Sequence, residues 1–230
     1  MAIPKIYKSE AGRQKVLAIY DDLLGHWPVP YETISVPTGL GNTFVLVCGD
    51  PGNPPLVLMH GSSANASFWM GDIARYAQQY RVYALDIPGE PGKSEAARPD
   101  LKGPAYVDWL GSILDTLHID TTPIIGISLG AFIATQFSIA YPQRVARLVL
   151  ECPSGIARQK TGFLLKAALF LRLGHWGKEM ILDEITAGAP IPDEAGKYII
   201  LIAEHFSPRM EIIPVFPDRE LKRLSMPVLL

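Results

Sequence analysis

The sequence has little cysteine, no excess of charge of one sign and no long uninterrupted apolar run. Its 230 residues include two cysteines, too few for a disulfide scaffold in a chain of this length. Both lie in apolar stretches, so we expect Cys48 and Cys152 to be buried, reduced thiols. The 21 basic residues nearly balance the 23 acidic ones, and they form no basic block. This balance argues against a nucleic acid or an anionic membrane as the main partner.

The apolar residues are not arranged as a membrane anchor. The N-terminal residues contain no apolar signal core, so the cytoplasm is the expected location. An uncharged run from Thr121 to Gln143 is long enough to span a bilayer, but glycine, proline and polar residues interrupt it. We interpret this run as a buried strand followed by a buried helix. Apolar residues make up 48% of the chain and charged residues 19%, which is typical of a folded globular protein rather than a disordered one.

Short apolar segments alternate with helical patterns between residues 55 and 152. This alternation predicts a mostly parallel sheet with helices on both faces. Before it, a helix is predicted to begin after Ser9 and to end at Gly25. After it, residues 153–217 carry helical patterns and no convincing strand. The predicted strands are 31–37, 43–48, 56–59, 81–85, 124–127, 148–151 and 226–230, and the predicted helices are 67–79, 105–117, 129–141, 163–173, 178–186, 194–206 and 218–224.

The strongest chemical signal is the pattern G-x-S-x-G at residues 126–130. A β-rich apolar run precedes it and an apolar helical pattern follows it, which is the setting of a nucleophile elbow. Such a turn exposes Ser128 at the carboxyl end of the sheet, and the flanking glycines remove side chains that would crowd it. The start of the helix favours a developing negative charge. The alternative is an ordinary strand–helix turn that contains a serine.

With this motif in its context, the sequence resembles the α/β-hydrolase superfamily, and within it a carboxylesterase-like group of bacterial hydrolases. Residues 58–63, Leu-Met-His-Gly-Ser-Ser, look like the family's His-Gly motif after the third strand. Residues 86–94 look like its D-x-x-G-x-G-x-S loop after the fourth strand. That loop ends in Gly-Lys-Ser, but it lacks the earlier glycine that a phosphate-binding P-loop requires.

The resemblance implies specific roles for residues near the elbow. The backbone N–H groups of Ser62 and Leu129 would form the oxyanion hole, and Ser128 would be the nucleophile. Ser63 is a candidate substrate contact. His60 would shape its loop rather than act as a base. The resemblance implies neither a metal ion nor an organic cofactor.

A serine nucleophile also needs a base, and the base needs an acid. In this fold the order along the chain is serine, acid, histidine. The family usually carries both partners after the strand that residues 226–230 resemble. We therefore expect the acid and the histidine to lie outside this sequence, which would be part of a longer chain and would lack the last strands and the C-terminal helix. The alternative within the sequence is a substitute triad of Ser128, Glu151 and His205.

The sequence thus predicts an incomplete α/β-hydrolase core over residues 29–152 and 218–230. Residues 1–28 would form a helical extension, and residues 153–217 would form a helical cap above Ser128. The predicted function is a serine hydrolase, a carboxylesterase for small or medium hydrophobic esters that works through an acyl-enzyme. Two alternatives stay open: a non-catalytic hydrolase-fold protein that binds a ligand or partner, and a perhydrolase or carbon–carbon bond hydrolase. The oligomeric state is not predicted.

Overall fold

The computed structural model describes residues 6–158, 170 and 174–230. The predicted helix over residues 163–173 therefore lies outside the described residues, apart from residue 170. The strands are β1 (Tyr31–Thr38), β2 (Gly41–Cys48), β3 (Pro55–Met59), β4 (Arg81–Leu85), β5 (Thr122–Ile127), β6 (Val145–Glu151) and β7 (Val228–Leu229). The helices are α1 (Glu10–Gly25), α2 (Ile73–Tyr76), α3 (Ala105–Thr116), α4 (Leu129–Ala140), α5 (Gly174–Thr186), α6 (Asp193–His205) and α7 (Asp218–Leu221).

The described strands form one mixed sheet in the order β1-β2-β4-β3-β5-β6-β7. Strand β2 pairs antiparallel with β1 and β4, and the remaining neighbours pair parallel. The mostly parallel sheet is therefore confirmed. Met59 is paired with Gly126, and Ile127 is paired with Glu151. The loops that follow β3, β5 and β6 consequently meet at one edge of the sheet, where parallel α/β proteins bind ligands.

Side chains alternate between two apolar clusters on opposite faces of the sheet, as a strand's period of two requires. In β2, Val45 and Val47 enter the cluster that contains α3 and α4. Leu46 and Cys48 enter the other cluster, which contains α1 and α6. Cys48 is buried as predicted, but the prediction for Cys152 is wrong because this residue lies in the turn after β6 and is exposed.

The predicted helix boundaries hold best where a cap defines them. The side chain of Ser9 accepts the N–H of Gly12 at 3.0 Å, and α1 ends at Gly25. The single helix predicted over residues 67–79 is wrong. The structure has a 3₁₀ turn at Ala66–Trp69 and then the short helix α2. Asn65 caps the 3₁₀ turn, and Gly71 follows it, a residue that disfavours helix continuation.

Described residues of the segment between β6 and α7 contact the elbow region and the N-terminal helix. The N–H of Phe216 donates to the carbonyl of Gly155 at 2.8 Å, and the Phe216 ring stacks on Phe132 at 4.8 Å. Within this segment α6 packs against α1, and the N–H of Ser207 donates to the carbonyl of Ile6. Of the helices in the described residues, none has the length and apolar character that a membrane crossing requires.

Candidate active site

Ser128 occupies the sharp turn between β5 and α4. Its φ of +51° and ψ of −105° lie in a region that costs a non-glycine residue energy. The neighbouring backbone holds this conformation. The N–H of Ser128 donates to the carbonyl of Glu151 at 2.9 Å, and the N–H of Phe132 donates to the carbonyl of Ser128 at 3.0 Å. The side chain is half-buried, so the structure has the strained strand–turn–helix geometry that the motif predicts.

Two glycines allow this turn to fit against its neighbours. A Cβ atom on Gly126 would lie 2.7 Å from backbone atoms of Ala131. A Cβ atom on Gly130 would lie 2.3 Å from the carbonyl oxygen of Met59 and 2.6 Å from that of His60. All three distances are shorter than real Cβ atoms tolerate. The start of α4 therefore packs directly on the backbone that follows β3.

The loop after β3 lies beside the elbow, as the predicted oxyanion hole requires. A Cβ atom on Gly61 would be 3.5 Å from the Cβ of Ser128, so these two loops are in van der Waals range. Ser62, the next residue, is exposed. Leu129 is the first residue of α4, and the N–H groups in the first turn of a helix have no acceptor within the helix. The structure thus brings the two predicted donors to one edge of the sheet.

His60 is a structural residue in this arrangement. It is fully buried, its Nδ1 lies 2.8 Å from the carbonyl oxygen of Gly61, and its Nε2 accepts the N–H of Ile87 at 3.0 Å. Burial lowers the pKa of His60 to about 4. A neutral imidazole with both nitrogens engaged cannot take a proton from a serine, which agrees with the role that the family resemblance implied.

Asp86 organises the loops beneath the site. One carboxylate oxygen accepts from the hydroxyl of Tyr20 at 2.9 Å and from the N–H of Ala66 at 2.8 Å. The other accepts the N–H of Lys93 at 2.7 Å, and the hydroxyl of Ser94 donates to the Asp86 carbonyl. Burial raises the pKa of Asp86 to about 6, while the hydrogen bonds oppose this rise. The D-x-x-G-x-G-x-S loop is therefore folded around this carboxyl group.

Two side chains near the site escaped the sequence analysis. Ser154 is buried, and its Oγ lies 3.4 Å from the Oγ of Ser128. Ser154 is the third residue after the end of β6. That position could have indicated the contact, because β6 is the neighbour of β5. Glu90 is also buried, and its Oε2 accepts the N–H of Ser63 at 2.7 Å. No sequence pattern indicated that bond, which joins loops 27 residues apart.

The substitute triad is not assembled. The ring of His205 lies against Gly12 of α1, within 2.9 Å of where a Cβ on that glycine would be. Glu151 ends β6 beside Ser128, and its side chain is largely exposed. The burial of one part of the carboxyl group, together with the nearby Asp72, raises the pKa of Glu151. The histidine of this substitute triad thus packs on α1 and makes no hydrogen bond to Ser128.

The other histidines do not supply a base in the described part of the chain. His26 and His118 are exposed on the surface, as expected, and the side chain of His175 lies outside the described residues. Among the histidines whose side chains are described, namely His26, His60, His118 and His205, none is hydrogen-bonded to Ser128. Among the described side chains, no three potential metal ligands converge.

The parallel sheet, the elbow and the adjoining His-Gly loop define a class of protein. Residues 54–189, more than half of the chain, match the family model of the alpha/beta hydrolase fold. The chain therefore belongs to the alpha/beta hydrolase fold family, as its motifs predicted.

Several relatives of this chain are bacterial carboxylesterases. It is 29% identical over 219 residues to the carboxylesterase YbfK of Bacillus subtilis, a match that covers 92% of this chain and 74% of the relative. It is 33% identical over 135 residues to the carboxylesterase nap of the same organism, covering 59% of this chain and 45% of the relative. The crystal structure of the Bacillus subtilis naproxen esterase superposes with a TM-score of 0.83 at 27% identity, covering 96% of this chain and 80% of that one.

Proposed function

We propose that this chain is a serine hydrolase that cleaves carboxylic esters through an acyl-enzyme on Ser128. The observation that carries the proposal is the elbow. Its strained serine lies at the start of α4 and beside the loop after β3, in which Ser62 is exposed. Relatives that are carboxylesterases support an ester as the substrate class. A small-molecule ester is accordingly the proposed partner.

The chemistry follows from the groups at this edge. The Oγ of Ser128 attacks the acyl carbonyl carbon, and the N–H groups of Ser62 and Leu129 donate to the carbonyl oxygen as it becomes negatively charged. Removing one such donor from a characterised hydrolase costs about 2.7–4 kcal/mol of transition-state stabilisation. The alcohol leaves with a proton, and water then hydrolyses the acyl-enzyme.

The reaction also requires a base for the serine proton. In this proposal neither His60 nor His205 has that role, because both side chains are engaged elsewhere. We propose that the base and its acid come from outside the described residues. The preference for small or medium hydrophobic esters stays a prediction from the apolar residues 163–173. The cytoplasmic location and the cap above Ser128 are likewise predictions of the sequence.

A fluorophosphonate probe and a panel of p-nitrophenyl esters test the proposal. We expect the probe to modify the wild-type protein expressed from its complete gene, with the proposed base and acid present. We expect its Ser128→Ala variant to lose both labelling and ester hydrolysis, the latter by more than about 1,000-fold. Ser112→Ala is the matched control, because Ser112 lies on α3 and its hydroxyl donates to the carbonyl of Asp108. We expect this variant to behave as wild type.

The same experiment separates the alternatives. A folded wild-type protein, expressed from its complete gene, that neither reacts with the probe nor hydrolyses any ester would favour the non-catalytic binding protein. Labelling of Ser128 without turnover of any ester in the panel would instead favour the perhydrolase or the carbon–carbon bond hydrolase.

A further inference from the structure

The buried carboxyl group of Glu90 is hydrogen-bonded to the loop that follows β3. Glu90 is 1% exposed and belongs to the loop after β4, yet its Oε2 accepts the N–H of Ser63 at 2.7 Å. Ser63 has a φ of +57°. A serine persists in this left-handed region only where its surroundings determine the backbone. The bond from Glu90 is one such contact, and it fixes the turn directly after Ser62.

This bond also decides which amide can serve the reaction. The N–H of Ser63 already donates to Glu90, so it is not available to an oxyanion. The preceding amide is that of Ser62, the exposed residue that follows the buried pair His60 and Gly61. Because Glu90 accepts the N–H of Ser63, the N–H of Ser62 is left in this turn as the donor to an oxyanion.

Two arginines act electrostatically on the Glu90 carboxyl group. The Nε of Arg209 lies 3.8 Å from the Oε1 of Glu90, and the Arg209 side chain is 7% exposed. The guanidinium of Arg209 also donates to the hydroxyl of Tyr106. Arg98 donates to the carbonyl of Gly89 at 2.8 Å and to that of Ser207 at 2.6 Å. The position of Glu90 therefore depends on the loop after β4 and on the chain that follows α6.

We propose that Glu90 is a positioning residue for the proposed ester hydrolysis: through the N–H of Ser63 it orients the N–H of Ser62 toward the oxyanion. This role rests on the proposed function. The acceptor oxygen matters more than the negative charge, since a carboxylate charge beside a developing oxyanion opposes it. Arg209 and Arg98 offset that charge.

Two substitutions of Glu90 separate the acceptor from the charge. Glu90→Ala removes the acceptor, and we expect kcat for p-nitrophenyl esters to fall by up to about 100-fold while KM changes less than about threefold. Glu90→Gln keeps an amide oxygen for the Ser63 N–H, and we expect it to restore most of the lost kcat. Glu95→Ala is the control from the same loop, because the Glu95 side chain lies against Gly41, and we expect wild-type kinetics.

Hydrogen exchange of the Ser63 amide, measured by NMR, tests the bond without any turnover. We expect slow exchange in the wild-type chain and in Glu90→Gln. If the Ser63 amide exchanges at an unprotected rate in the folded wild type, the role is overturned. The role is also overturned if folded Glu90→Gln loses about 100-fold in kcat, the loss expected for removal of the acceptor. This outcome counts against the role even if Glu90→Ala does not fold. A wild-type protein, expressed from its complete gene, without ester turnover would overturn the proposed function and this role together. Turnover that Glu90→Ala leaves unchanged would overturn the role of Glu90 alone.

Discussion

Positive φ values occur at three non-glycine residues in the loops at the carboxyl edge of the sheet. They are +57° at Ser63, +51° at Ser128 and +45° at Cys152. Such conformations cost of order 1–3 kcal/mol each and persist where packing and hydrogen bonds determine them. Here the carbonyl of Glu151 holds the Ser128 amide, and Glu90 holds the Ser63 amide. Three of the five described non-glycine residues with a positive φ thus lie at the edge that carries the proposed nucleophile, while His118 and Ala187 lie elsewhere.

Replacing Gly130 tests how tightly the elbow is packed. Gly130→Ala would bring a methyl group within 2.3 Å of the Met59 carbonyl oxygen, and backbone cannot move aside cheaply. We expect a loss of about 1–3 kcal/mol in the free energy of unfolding, measured by urea denaturation. Gly25→Ala is the matched control, because a Cβ there meets nothing within 4 Å. It should leave stability within about 1 kcal/mol of wild type, and equal stability of the two variants would contradict the prediction.

The titration of Glu90 gives a pH dependence of stability. Burial raises the pKa of Glu90 to about 7 from 4.5, while the Ser63 amide and the two arginines oppose the rise. The folded chain therefore holds this proton more tightly than the unfolded chain. Its contribution is full below pH 4.5 and is lost as the pH rises toward 7. We expect wild-type stability relative to Glu90→Gln to fall by about 2–3 kcal/mol over that interval. A difference that stays constant with pH would contradict this assignment.

Helix α6 is fixed to the loops of the site rather than resting on the surface alone. The hydroxyl of Tyr198 accepts from the side-chain amide of Asn65 at 2.8 Å and donates to the carbonyl of Val16. Asn65 lies in the loop after β3, and its amide also donates to the carbonyl of Pro91. One buried hydroxyl thus connects α6, α1 and the loop that carries Ser62.

Removing that hydroxyl should weaken the connection measurably. Tyr198→Phe leaves one N–H of Asn65 without its buried acceptor, and we expect the free energy of unfolding to fall by about 1–2 kcal/mol. Tyr31→Phe, at a position 39% exposed, is the control and should change stability little. Chemical denaturation of both variants under one set of conditions makes the comparison. A cost at Tyr31 equal to that at Tyr198 would show that burial of the hydroxyl is not the cause.

At the scale of elements, caps and turns were predictable where a local residue decided them. Ser9 and Gly25 bound α1 as expected, because side-chain capping is a short-range interaction. The region from residue 66 to 76 was not predictable in this way. There the N–H of Ala66 donates to Asp86, 20 residues along the chain, and this distant bond helps to determine where the 3₁₀ turn begins.

For the molecule as a whole, the N-terminal region behaves as part of the fold. Val16, Tyr20 and Leu24 are buried in the second apolar cluster, and the Tyr20 hydroxyl donates to the buried Asp86. The expectation that residues 1–28 form an extension is therefore best tested by removing them.

Deleting residues 1–28 should cost the chain its cooperative folding. The deletion would expose the apolar face under α1 and leave Asp86 without one of its donors, so we expect aggregation or loss of a cooperative thermal transition in circular dichroism. Tyr20→Phe is the milder comparison, since it removes only the donor and should lower the melting temperature while preserving the transition. A deleted chain that unfolds cooperatively at the wild-type temperature would establish residues 1–28 as dispensable.

The sequence alone determined the alternation of strands and helices, the elbow around Ser128 and the His-Gly loop, because each depends on residue types at short spacings. Only the tertiary structure decided that Glu90 engages Ser63, that Ser154 lies beside Ser128 and that His205 packs on Gly12. Those contacts join residues distant in sequence, and no local pattern encodes them. The strand order β4-β3-β5-β6 places the loops of the first two contacts side by side, and the packing of α6 on α1 makes the third.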